Sequence, residues 1–170
     1  KKCSLELGGK NPTVIFSDCD IDLAVETAVK ASFLNQGQIC LCGSRIFVEQ
    51  SIYDLFRKSF LEKTKKLTVG DPASVKSNLG AIVSKDHLEK IILEVQLAEK
   101  AGGKIICGGN RLVLDGNLSG GYYMSPTIIE NTKHTDKINQ EEIFGPIVTI
   151  MPFKNEDEVI EMCNSTKYGL

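Results

Sequence analysis

Three short stretches of this sequence hold residue types that could do covalent or proton-transfer chemistry. In Asn35-Gln36-Gly37-Gln38-Ile39-Cys40 a cysteine closes a polar, glycine-containing loop. A thiolate is a strong nucleophile even when only partly ionised, and catalytic groups often sit on loops carried by a rigid scaffold. Cys42, two residues on, competes for the same role, and spacing alone does not choose between them. Taken singly, such a cysteine is more often a small buried apolar residue. In Glu6-Leu7-Gly8-Gly9-Lys10 a carboxylate stands just before a double glycine. A carboxylate can take a proton from water, and glycine lets a backbone turn tightly or approach a ligand closely. The plain alternative is a surface glutamate at a turn. Glu142-Ile143-Phe144-Gly145-Pro146 joins an acid, an aromatic and a rigid Gly-Pro turn. Its plain alternative is an acidic helix end running into a turn.

The elements around these stretches predict an α/β domain. Leu5 to Leu7 reads as the tail of a strand, which would put Glu6 at a carboxyl end, where ligand sites of open α/β sheets gather. Thr13 to Phe16 and Ile46 to Val48 are short runs rich in β-branched and aromatic residues and read as strands. Between them Asp20 can cap a helix whose apolar residues, Ile21, Ala24, Val25, Ala28, Val29 and Phe33, recur at three-to-four spacing. Asn35 to Gln38 breaks that helix. Ser51 is placed to cap a second helix with Tyr53, Phe56, Phe60 and Leu61 on one face. Asp86 begins a third, with Leu88, Ile91, Ile92, Val95 and Ala98 facing inward, and Gly102-Gly103 ends it. Strands are expected over 104–107, within 122–129 with a break at Pro126, and over 147–153. A last helix over 156–164 should face Val159, Ile160 and Cys163 inward. Strands alternating with helices of this length predict a mostly parallel sheet with flanking helices.

Bulk properties exclude several classes of protein. The 170 residues are 42% hydrophobic and 25% charged, ordinary for one globular domain that buries a core without staples. Net charge is −2 with both signs interspersed, so no basic stripe points to nucleic acid. No apolar run approaches the length of a membrane span, and the first residues do not resemble a secretory signal. The six cysteines are scattered, which favours reduced thiols in a cytosolic or organellar protein, and a cytoplasmic one is expected. No metal site is expected, because only His87 and His134 accompany the single tight pair Cys40-x-Cys42. The missing initiator Met and the abrupt close at Lys167-Tyr168-Gly169-Leu170 suggest a piece of a longer chain.

Together the three motifs resemble those of the aldehyde dehydrogenase superfamily. Its general-base motif is similar to Leu5-Glu6-Leu7-Gly8-Gly9-Lys10. Its nucleophile loop is similar to Asn35 through Cys40, followed by Gly43-Ser44-Arg45. Its cofactor motif is similar to Glu141-Glu142-Ile143-Phe144-Gly145-Pro146, and Tyr168-Gly169-Leu170 also fits. The family places its nucleophile 34 residues after its catalytic glutamate; Cys40 stands at that offset from Glu6 (40 − 6), which selects it over Cys42.

The resemblance implies the catalytic lobe of the aldehyde dehydrogenase fold, with residues 1–170 forming part of the catalytic domain. The cofactor-binding domain and the C-terminal part would lie outside them. It implies oxidation of an aldehyde or semialdehyde to the carboxylate with NAD or NADP. Cys40 would form a thiohemiacetal and then a thioester, which water hydrolyses with Glu6 as base. Glu142 would bind hydroxyls of the nicotinamide ribose, Phe144 would pack near that ring, and the Leu7 backbone would meet the carboxamide. The whole protein is expected to be a homo-oligomer acting on a small-molecule aldehyde, with no nucleic-acid or membrane partner. The Ile39-Cys40-Leu41-Cys42 loop looks like the branch acting on muconic-type semialdehydes. The 170 residues alone are expected to be inactive. Two other readings stay open: a thiol hydrolase pairing Cys40 with His87 or His134, and a non-catalytic domain that keeps the fold.

Overall fold

A computed structural model describes residues 1–170. Five strands form one sheet in the spatial order β1 (Asn11–Ile15), β2 (Gly43–Glu49), β7 (Ile147–Phe153), β6 (Thr127–Glu130), β3 (Lys104–Cys107). The pairs β1–β2, β2–β7 and β7–β6 are parallel, and only β3 runs antiparallel, beside β6. The sheet is therefore mostly parallel, as the alternation of strands and helices predicts. A small antiparallel pair, β4 (Arg111–Leu112) and β5 (Tyr123–Met124), stands apart.

Helices cover both faces, as a parallel sheet requires. Alternate residues of β2 face opposite ways. Ile46 and Val48 pack, with Val148 and Ile150 of β7, under α1 (Ile21–Phe33) and α2 (Tyr53–Thr64), where they meet Val25, Ala28, Phe56 and Phe60. Phe47 faces the other way and packs with Met151, Phe153, Val159 and Met162, the last two from α5 (Glu156–Cys163), which follows the one-turn helix α4 (Lys137–Gln140). On that same face α3 (Lys85–Lys100) buries Leu88, Ile91, Val95 and Ala98 against Ile129 and Ile147. Each such apolar side chain contributes about 1.5–3 kcal/mol on leaving water, enough for this core to hold the loops at its edge.

Local signals set most boundaries. Asp20 caps α1 by accepting from the Asp22 and Leu23 amides, each at 3.1 Å. Ser51 does not cap α2. Its hydroxyl donates to Glu49 across 3.1 Å, and a single 3-10 turn, Gln50–Ile52, leads into the helix. The cap of α3 is Ser84, which accepts from the His87 amide, so Asp86 lies inside the first turn. In α5 Val159 is buried and Cys163 packs partly buried against the same cluster, as expected, but Ile160 is 50% exposed and Met162 is buried instead.

The largest departure concerns the first residues. No strand forms over Leu5 to Leu7, whose apolar side chains are 72% and 75% exposed. Alternating Leu-Glu-Leu looks like a strand locally, but here it has no ladder partner.

Candidate active site

Each of the three motifs runs directly into a strand of the parallel sheet. Glu6 to Lys10 precedes β1, Cys40 to Cys42 precedes β2, and Glu142 to Pro146 precedes β7. Since β1, β2 and β7 are parallel neighbours, these loops converge at their amino ends. The expected carboxyl-end site is therefore corrected: Glu6 follows no strand, and the sheet presents these residues from the opposite edge.

Glu6, Gly8, Gln38, Ile39, Cys40, Glu142 and Phe144 line one open cleft of about 350 Å³. Four of the five residues singled out from sequence thus meet. Leu7 does not line the cleft, although its two neighbours do. Glu6 is exposed and makes no hydrogen bond or ion pair within the chain. Cys40 is half-buried, and its backbone N–H donates no hydrogen bond. Cys42 is buried, with its thiol directed to the Leu34 carbonyl at 3.6 Å. Burial pushes the Cys42, Cys107 and Cys163 thiols up. All six cysteines are unpaired.

The loop that delivers Cys40 owes its shape to a left-handed turn. Asn35, Gln36 and Gly37 have φ of 51°, 57° and 70°. For residues with a side chain that conformation costs roughly 1–2 kcal/mol each; the Gln38 amide on the Asn35 carbonyl at 3.0 Å, Asn35 Nδ2 on the Gln38 carbonyl at 3.1 Å and contacts from outside the turn together hold it. Gln36 accepts from the Gly80 amide at 2.9 Å and donates to the Ala81 carbonyl at 3.4 Å. Gln38 accepts from the Val83 amide at 3.0 Å. Gly37 sits against Gly145, where a Cβ would lie 2.1 Å from the carbonyl oxygen, so no side chain fits.

The other two loops are tied in turn. The Gly9 amide donates to Glu142 Oε1 at 3.1 Å, and Asn11 Nδ2 donates to the Cys40 carbonyl at 2.9 Å. Gly8, at φ 71°, leaves no room for a Cβ, which would lie 2.4 Å from Glu142 Oε2. Arg45 is fully buried and donates to the carbonyls of Lys10 (2.8 Å), Met162 (2.9 Å) and Cys163 (2.8 Å). Lys10 is buried beside it. Burial first, and then the Arg45 charge, lowers the Lys10 ammonium to about 7, against an opposing pull from Glu142. Lys10, Asn11 and Arg45 were not singled out from sequence. Lys10 and Arg45 lie inside the quoted motifs, so their position was the available signal.

Phe144 has φ 58° and is 38% exposed. His87 Nε2 lies 2.7 Å from its carbonyl oxygen and donates to it, with the two rings 6.3 Å apart. No histidine lines the cleft, so the cysteine–histidine hydrolase reading finds no geometric support. An anchored carboxylate beside an exposed aromatic ring suits a ligand carrying sugar hydroxyls next to a flat ring. No group of three or more His, Cys, Asp or Glu is placed to hold a metal ion. No helix is long and apolar enough to cross a membrane.

A mostly parallel α/β lobe that brings a cysteine, a free glutamate and an anchored acid–aromatic pair to one cleft defines a class, and the comparisons name it. The model of the aldehyde dehydrogenase family matches residues 1–170. The chain is 48% identical to 2-aminomuconic semialdehyde dehydrogenase of Mus musculus and 45% to 4-trimethylaminobutyraldehyde dehydrogenase of Oryzias latipes. Both alignments cover 100% of the chain but 35% and 34% of those relatives, so it spans about a third of their length. A crystal structure of betaine aldehyde dehydrogenase from Staphylococcus aureus in complex with NAD+ superposes with a TM-score of 0.93 at 39% identity, covering 97% of this chain and 32% of that one. The chain belongs to the aldehyde dehydrogenase family.

Proposed function

We propose that this chain carries the nucleophile and the base of an enzyme that oxidises an aldehyde to a carboxylate with NAD or NADP. The observation that carries the reading is the shared cleft of Cys40, Glu6, Glu142 and Phe144. The Cys40 thiolate adds to the aldehyde carbon, forming the C–S bond of a thiohemiacetal. Its unpartnered backbone N–H is available to the oxyanion, where a fixed donor stabilises developing charge. Hydride then leaves that carbon, and a thioester remains. NAD or NADP supplies the hydride acceptor when bound. Glu6 takes a proton from water, the oxygen attacks the thioester carbon, and the C–S bond breaks to release the carboxylate and restore the thiolate.

Glu142, held by the Gly9 amide, would bind ribose hydroxyls, and the Phe144 ring would pack beside the nicotinamide. The Leu7 backbone, between the lining residues Glu6 and Gly8, would meet the carboxamide. NAD is the favoured cofactor, since the Staphylococcus aureus neighbour is in complex with NAD+. That enzyme also has a mercaptoethanol-modified cysteine in another crystal structure, which suits a reactive thiol in this family. For substrate we favour a muconic-type semialdehyde, on the 48% identical relative and the Ile39-Cys40-Leu41-Cys42 loop. The activity belongs to a protein of the relatives' length, acting as a homo-oligomer in the cytoplasm. These 170 residues, as part of its catalytic domain, would be inactive by themselves.

Iodoacetamide labelling of the full-length protein with peptide mapping tests the nucleophile. Loss of activity should track modification of Cys40. Inactivation that tracks Cys42 or Cys107, with Cys40 untouched, would overturn the assignment. Comparing kcat/KM for a muconic-type semialdehyde and 4-trimethylaminobutyraldehyde tests the substrate.

A further inference from the structure

The segment Gly80 to His87 touches both sides of the cleft yet contributes no lining residue. Its amides at Gly80 and Val83 donate to Gln36 and Gln38 of the Cys40 loop. Its Ala81 carbonyl accepts from Gln36. At its far end His87 donates to the Phe144 carbonyl, on the loop that carries Glu142. The segment is itself fixed, because the Ile82 amide donates to the Tyr122 carbonyl at 2.7 Å and Ile82 is buried. One bracket therefore holds both loops, and Gln36 is its two-point contact with the nucleophile side.

We propose that Gln36 is a positioning residue for Cys40, which keeps the nucleophile in register with the Glu142–Phe144 loop by clamping its left-handed turn to Gly80 and Ala81. The inference rests on Cys40 being the nucleophile. Gln36 sits at φ 57° in a turn closed locally by the Gln38 amide on the Asn35 carbonyl at 3.0 Å and by Asn35 Nδ2 on the Gln38 carbonyl at 3.1 Å. Its side chain adds the link that fixes this turn against Gly80 and Ala81. Without the clamp the turn relaxes, and Cys40 moves relative to the bound aldehyde. A misplacement near 1 Å at a reacting centre costs about 10²-fold in rate. Cofactor binding is spared, because Glu142 and Phe144 keep their own anchors at Gly9 and His87.

The test uses the full-length protein and Gln36→Met, which keeps length and loses both hydrogen bonds. Expected are a kcat lower by about 10²-fold, slower alkylation of Cys40 by iodoacetamide, and a KM for NAD unchanged within about twofold. Gln36→Glu keeps the acceptor for the Gly80 amide but loses the donor to the Ala81 carbonyl, so it should recover part of kcat and of the alkylation rate. A Gln36→Met protein with wild-type kcat and alkylation rate overturns the inference. So does a Glu variant no better than the Met variant, and that arm decides the matter if Gln36→Met fails to fold. Wild-type inactivation that tracks a cysteine other than Cys40 instead removes the underlying reading, so the two failures are distinguishable.

Discussion

The Gly9 amide and the Glu142 carboxylate meet at 3.1 Å, 133 residues apart in sequence, and that bond ties the loop before β1 to the loop before β7. Gly8, beside it, is pressed against the same carboxylate. Gly8→Ala would place a Cβ 2.4 Å from Glu142 Oε2 on a backbone at φ 71°. The conformation alone costs roughly 1–2 kcal/mol, so the glutamate is displaced or the loop shifts. In the full-length enzyme NAD binding should weaken by about tenfold, read by calorimetric titration. An unchanged Kd would remove Glu142 from the cofactor site.

Glu6 has no partner to occupy it. Glu6→Gln in the full-length enzyme should leave aldehyde addition and the first turnover of reduced cofactor largely intact. Release of the acid should slow by about 10²–10⁴-fold, the usual scale for losing a general base. Rapid-mixing kinetics would show a preserved burst followed by a slow steady state. Loss of the burst itself would place Glu6 in the earlier step.

Lys10 makes stability depend on alkaline pH. Its folded value is lowered from 10.5 to about 7. Between those values the unfolded chain binds the proton and the folded chain does not, so stability rises with pH across that window. Below about 7 both states are protonated, and this contribution is flat at its least favourable level. Lys10→Met should remove the slope, so that urea midpoints at pH 7 and pH 9.5 move closer together. A slope that survives the substitution would assign it to another group.

Arg45 is a structural anchor whose loss should be severe. It serves three backbone carbonyls, two of them at the end of α5. Hydrogen bonds from a charged donor contribute about 1.5–3 kcal/mol each. Arg45→Leu should therefore destabilise the protein by at least about 3 kcal/mol in urea unfolding. Arg45→Lys should recover only part, because an ammonium lacks the planar fork.

Much of this was legible in the sequence, and the failures have physical causes. Period and punctuation placed α1 and β7 closely, because Asp20 caps and the apolar run at 147–153 act locally. The family resemblance selects Cys40 over Cys42; in the structure Cys40 lines the cleft and Cys42 is buried. The edge of the sheet was misjudged because Leu5-Glu6-Leu7 alternates like a strand, while strand formation needs a partner that sequence does not display. Gln36 and Arg45 stand inside the motifs, but what they do there was not legible for a related reason. Their roles are contacts to backbone groups 44 and 117 residues away, and no local pattern encodes a backbone acceptor at that range.

The parallel sheet also serves as a ruler. Neighbouring strands stand about 4.8 Å apart, and each residue along a strand advances about 3.3 Å. With β1, β2 and β7 side by side, the lateral spacing of the proposed base, nucleophile and ribose-binding acid is inherited from the hydrogen-bond ladder. Their depth is set by how many residues separate each from its first paired position. Asn11 pairs with Gly43 but Pro12 with Arg45, so one graduation is already offset at the mouth of the cleft. Cys40 reaches that ladder through a turn closed by the Cys42 amide on the Ile39 carbonyl at 3.0 Å, so inserting or deleting one residue between Cys40 and Gly43 would break the turn and uncouple the thiol from the ruler.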